Sequence, residues 1–230
     1  MNVALVVGCA AAGGLVGTVA PVVIERVPAK SELLESPFPE SQAWLRTWRG
    51  WAVVGVTAGL FAGMAARFGA DVELLAFLVL AAGLVVLSVI DLREFLLPNR
   101  VVYPLAAVSA ALLGLAAVVD DDLDAFARAG IAAAAAFLAF TVLHLLSPRS
   151  MGFGDVKLSF VLGLGLGWLG TGEVVLGLAL GFVYGAAVGV VLLATRLRSR
   201  RDHVPFGPFM AAGALTAVLV GQAILDWYGR

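Results

Sequence analysis

Two aspartates stand where apolar sequence gives way to polar sequence. Asp91 closes the run LLAFLVLAAGLVVLSVI and opens DLREFLLPN, and Asp155 lies in MGFGDVKL, directly ahead of LSFVLGLGLGWLG. A carboxylate beside hydrocarbon is costly, so its presence there marks a functional position by default. Two of them point to acid/base chemistry at a membrane, because a pair that shares a proton can activate water. Gly152 and Gly154 permit unusual backbone angles and close approach of another chain, as an extended peptide substrate would require. Purely local roles are also open: Asp155 as the N-cap of the next helix, and Asp91 as a cap or as a partner of Arg93 or Arg100. Pro98-Asn99 ends the Asp91 segment and starts the next helix, which would fix Asp91 at the head of a short cytoplasmic stretch.

The elements that carry these residues must be membrane helices. Of the 230 residues 61% are hydrophobic and 13% charged, with a mean hydropathy of +1.00, far from the roughly 25% charged residues of soluble domains. A hydrocarbon core of about 30 Å takes about 20 apolar residues as helix. The pattern predicts an all-α, polytopic helical bundle of about eight spans, at 2–24, 50–68, 72–90, 101–119, 126–146, 156–170, 172–195 and 205–225. The sixth is short and rich in glycine. The first lacks a basic leader and an early cleavage pattern, and is read as a retained helix.

Alternate connections differ in charge. Arg26, Lys30, Arg46, Arg49, Arg93, Arg100, Arg149, Lys157, Arg196, Arg198, Arg200 and Arg201 fall in one set, while the other holds Arg67, Arg128, Arg230 and the acidic turn around Asp120, Asp121, Asp122 and Asp124. The positive-inside rule places the first set in the cytoplasm, both termini outside, and Asp91 and Asp155 together on the cytoplasmic side.

Other polar residues offer less. The lone Cys9 excludes an internal disulfide or a cysteine-rich zinc site and reads as a small apolar residue. His144 reads as a polar packing residue, His203 as solvated in a basic loop, and neither suggests a metal site. Trp44, Trp48 and Trp51 fit an interfacial aromatic belt. Gly177, Gly181, Gly185 and Gly189 recur at the spacing of close helix packing.

At this point the chain resembles a known family. IDLREFLLPN (90–99) is similar to the first active-site motif of the prepilin peptidases, GFGDVKL (152–158) to their second, the GxGD signature of membrane aspartic peptidases, and VPFGPFMAAG (204–213) to their Pro-Phe-Gly-Pro segment. Ile90, where presenilin-type proteases usually have Tyr, separates it from those. The resemblance implies a membrane aspartic endopeptidase that hydrolyses the leader from type IV pilin-like or pseudopilin precursors, in pilus assembly or protein secretion, at the inner membrane of a bacterial cell. It implies Asp91 and Asp155 as the catalytic pair, with no metal and no nucleic acid. Gly152, Gly154, Lys157, Pro98, Asn99, Pro205, Phe206, Gly207 and Pro208 would bind substrate or support the pair; Lys157 would tune Asp155 or anchor at the interface.

The stretch GTVAPVVIERVP (17–28) is similar to the GSFLNVVIYRLP stretch of bifunctional family members, with Pro21 in place of their Asn. Their next loop carries two CxxC pairs, whereas 25–49 contains no cysteine. Residues 1–70 therefore resemble a reduced methyltransferase-like region, and 71–230 the peptidase domain. S-adenosylmethionine would be a cofactor only if a residual N-methyltransferase activity exists. Two other readings of the same aspartates are a proton-coupled transporter and a non-catalytic pilus or secretion scaffold.

Overall fold

A computed structural model describes residues 2–26, 47–147, 151–195 and 204–229, the side chains of residues 22, 25 and 26 excepted. Most of the 25–49 connection, Arg149, the 196–201 basic run and His203 lie outside the described residues. The chain forms helices α1 (Val3–Arg26), α2 (Trp48–Phe68), α3 (Glu73–Glu94), α4 (Asn99–Val119), α5 (Leu123–Leu146), α6 (Phe153–Leu169), α7 (Thr171–Ala194) and α8 (Gly207–Tyr228). All but α6 are long and apolar enough to cross a membrane.

The helices pair as α1 with α2, α5 with α6 and α7 with α8, while α3 touches α1, α2, α4 and α8. Small residues make these approaches close. A side chain at Gly17 would meet the Val54 Cα at 2.7 Å, and one at Gly163 would meet the Ala132 carbonyl oxygen at 2.7 Å. In lipid, where apolar surface alone gives little drive to associate, such backbone proximity is what holds helices together.

The short helix α6 crosses the bundle all the same. Its first turn lies beside Asp91, near the end of α3, and the Trp168 indole N–H donates to Glu73, at the start of α3. With 17 residues it covers about 25 Å, and it is buried along most of that length. Arg128 closes its far end, donating to the carbonyls of Gly167 (3.0 Å) and Trp168 (2.7 Å). These carbonyls would otherwise be orphaned at the helix C-terminus. Glu73, Trp168, Arg128, Arg67 and Asp226 share a cavity of about 1180 Å³ there, at the end of the bundle away from Asp91.

Two boundaries differ from the sequence expectation. Asp91 does not head a separate stretch: α3 runs on through Glu94 and stops at Phe95, whose φ of 53° is left-handed and whose N–H donates to the Asp91 carbonyl (2.9 Å). Leu92, Arg93 and Glu94 favour helix, so the chain breaks only where it must turn toward Pro98. Asp155 is not the N-cap of α6. Gly152 is, and Asp155 stands three residues on.

Candidate active site

The segment after α3, the start of α6 and the start of α8 converge at one end of the bundle. Between them lies a cavity of about 590 Å³, lined by Asp91, Phe95, Leu97, Pro98, Asn99, Gly152, Phe153, Gly154, Asp155, Lys157, Pro205 and Phe206, among others. Both carboxylates face it, and both residues are buried, Asp91 to 5% and Asp155 to 7% exposure. They line the same cavity from the ends of two different helices.

Backbone amides hold each carboxylate. Gly207 N–H donates to Asp91 Oδ2 at 3.0 Å, and Gly152 N–H donates to Asp155 Oδ2 at 3.2 Å. The second bond is half of a capping box, in which an acid at the third helical position reaches back to the cap amide. The first joins two residues far apart in the sequence, and it sets α3 against α8.

The glycines serve a purpose narrower than expected. Gly152 has ordinary extended angles (φ −70°, ψ 149°), and among the described residues Gly69 is the only glycine in the left-handed region (φ 64°). The unusual angles expected at 152 and 154 are therefore not used at these positions. Close approach is what counts: a side chain at Gly154 would lie 2.9 Å from the Leu97 Cβ, and one at Gly207 would lie 2.6 Å from Asp91 Oδ2 and 3.5 Å from Leu97 Cδ1. The buried Leu97 thus sits against the starts of both α6 and α8. In the sequence it was one apolar residue among many.

Lys157 does not bond Asp155. Its Nζ donates to Asn99 Oδ1 (2.7 Å) and lies over the rings of Phe153 (4.9 Å) and Tyr103 (5.7 Å), fixing the start of α4 to α6. Pro98 caps α4. Phe206 precedes α8 and packs on Phe182, while Pro208, in the first turn of α8, lines a different, apolar groove. His144 does more than fill space: its Nδ1 donates to the Met151 carbonyl at 2.8 Å, since a carbonyl only accepts. The same ring packs on Phe153, so α5 steadies the segment leading to Asp155. Among the described residues no three His, Cys, Asp or Glu form a group suited to a metal ion.

The sequence profile of the type IV leader peptidase family matches residues 78–194, half of the chain, with both aspartates inside the match. The chain belongs to the type IV leader peptidase family. The prepilin leader peptidase/N-methyltransferase of Bacillus subtilis is 34% identical over 178 residues, covering 75% of this chain and 66% of that protein. The proteins of the same name from Aeromonas hydrophila and Pseudomonas aeruginosa are 35% and 32% identical, covering 67% and 76% of this chain and 52% and 60% of theirs. The chain therefore spans between about half and two thirds of the length of these relatives. No solved structure matches it. With seven helices able to cross a bilayer, this member of the type IV leader peptidase family is a multi-pass membrane protein.

Two buried carboxylates facing one cavity can share a proton, one then able to act as acid and the other as base.

Proposed function

We propose that this chain is a prepilin peptidase: a membrane aspartic endopeptidase that removes the leader of type IV pilin-like or pseudopilin precursors. The observation that carries the reading is the meeting of Asp91 and Asp155 in one cavity at one end of the bundle, within the stretch that matches the family. In the proposed reaction the ionised aspartate takes a proton from water, the protonated one hydrogen-bonds the scissile carbonyl oxygen, and the water oxygen adds to the carbonyl carbon. Collapse of the tetrahedral intermediate breaks the C–N bond, and a proton passes to the leaving amine. Water, peptide bond and protons balance without metal or cofactor, and the cysteine-free 25–49 segment supports peptidase activity without methyl transfer from S-adenosylmethionine. Neither the transporter nor the scaffold reading draws support from the family.

The charge pattern supports an orientation in a bacterial cytoplasmic membrane with the cavity facing the cytoplasm. Lys157 and Asn99 are at the cavity, with Arg93 and Arg100 on the segments that flank it, whereas Asp71, Asp120, Asp122 and Asp226 line the opposite end. In this orientation both termini lie outside.

The test is to co-express the chain with a pilin-like precursor from the same genome and follow the precursor's mass. Wild type should remove the leader, and Asp91→Asn and Asp155→Asn should each lose at least about 100-fold in rate, the range of acid/base catalysis, while still inserting and folding. Full activity in either variant refutes the two-aspartate mechanism.

A further inference from the structure

At the end of the bundle away from Asp91, one buried acid has no partner. Glu173 is the third residue of α7, and Gly170 is the N-cap of that helix. Asp155 holds the same position in α6, where the Gly152 amide donates to its carboxylate. In α7 the equivalent bond is not made, because the Gly170 N–H donates to the Leu166 carbonyl (3.0 Å). The Glu173 side chain still curls back, its Oε2 lying 2.5 Å from where a Cβ on Gly170 would stand. Glu173 is 9% exposed, and among the described residues nothing hydrogen-bonds or ion-pairs with its carboxylate. A buried carboxylate is costly unless something pairs with it.

Glu173 opens on the cavity of about 1180 Å³, whose charge is lopsided. Asp71, Glu73, Asp120, Asp122 and Asp226 line it together with Glu173, against Arg67 and Arg128. Arg128 is engaged by the end of α6, and Arg67 lies over the Phe68 ring. Among the described residues these acids form no group of three suited to a metal ion. Leu219, Val220 and Leu225 add apolar surface to the wall. Dispersed acids with apolar wall fit a cation that has a carbon skeleton better than a bare ion.

We propose that this cavity binds an aliphatic ammonium group, with Glu173 as its anchor. An ammonium puts three donors on one compact charge, which suits a single buried carboxylate. The carbon chain behind it lies on Leu219, Val220 and Leu225, and the other acids hold positive charge in the cavity. An aminophospholipid headgroup and a free polyamine both supply this group. The site is separate from the two-aspartate cavity and does not rest on the peptidase reading.

The test titrates the full chain, purified in detergent, with phosphatidylethanolamine, phosphatidylglycerol and spermidine, and reads binding by native mass spectrometry. At least one of the two amines should bind, and phosphatidylglycerol, which has no amine, should bind more weakly than the better of them. Phosphatidylethanolamine alone identifies a headgroup site, spermidine alone a free-amine site, and both a site open to either. Glu173→Gln keeps the shape and removes the charge, and should weaken binding about tenfold or more, as loss of a charge-assisted bond does. Asp124→Asn, at an exposed acid outside the cavity, should change nothing. Binding of neither amine, phosphatidylglycerol binding as tightly as the better amine, or equal binding by Glu173→Gln overturns the proposal. A second measurement needs no variant. A hydrophobic carbodiimide, which modifies buried carboxylates, should label Glu173 severalfold less once the amine is bound, and labelling that the amine leaves unchanged also overturns the proposal.

Discussion

The backbone amide of Gly207 donates to the side chain of Asp91 across 116 positions of sequence. This bond aims one carboxylate into the cavity and leaves no room for a side chain on its donor. Gly207→Ala would put a Cβ 2.6 Å from Asp91 Oδ2. Misplacement of a reacting group by about 1 Å can cost about 100-fold, so we expect a cleavage loss of that order in a folded protein. Gly189→Ala, in open space, should leave the rate unchanged. Precursor cleavage in membranes, with insertion checked in parallel, compares the two.

The carboxylate pair predicts a bell-shaped dependence of cleavage on pH. Acidification protonates both aspartates and removes the base. Alkalinisation ionises both and removes the proton that polarises the carbonyl. The two limbs belong to the pair rather than to either residue. Rates measured across pH with a chelator present should give the same bell as without it; inhibition by the chelator would indicate a metal-dependent step.

Lys157 and Asn99 should behave as one unit. Lys157→Met and Asn99→Ala each break the 2.7 Å bond that ties α6 to α4 beside the cavity. Each should lower cleavage, and the double variant should be little worse than either, with a coupling of about 0.5–3 kcal/mol. Additive losses in a double-mutant cycle would show that the two act separately.

Arg128 should matter for stability alone. Arg128→Met removes two hydrogen bonds from a charged donor to the end of α6. The expected cost is about 1.5–3 kcal/mol, as for bonds to charged groups. Thermal unfolding in detergent should show it, with cleavage below the transition unaffected because the site lies at the other end.

Much of this was legible in local pattern. Apolar run lengths placed all eight helices, seven of them at the length a bilayer imposes and the sixth shorter. Asp91 and Asp155 stood out because a carboxylate next to hydrocarbon needs a reason. What stayed hidden depends on contacts between distant segments. Leu97 looks like any apolar residue until α6 and α8 close on it. His144 read as packing, and nothing in the sequence linked it to the carbonyl seven residues on. The glycines at 152 and 154 suggested both backbone freedom and close approach, and the fold uses the second at Gly154, against Leu97.

The enclosure of α6 has a further consequence. Helices with broad lipid-facing surfaces, such as α1 and α7, must tilt or distort when bilayer thickness changes. Helix α6 is shorter than a bilayer and walled in by protein. It is held by the Trp168–Glu73 and Arg128 contacts at one end and by Leu97 and Asn99 at the other. Thickness is felt by the outer helices and not by the segment that carries Asp155. The position of Asp155 is thus set by protein packing, and precursor cleavage in vesicles is expected to change little with the acyl-chain length of the lipid.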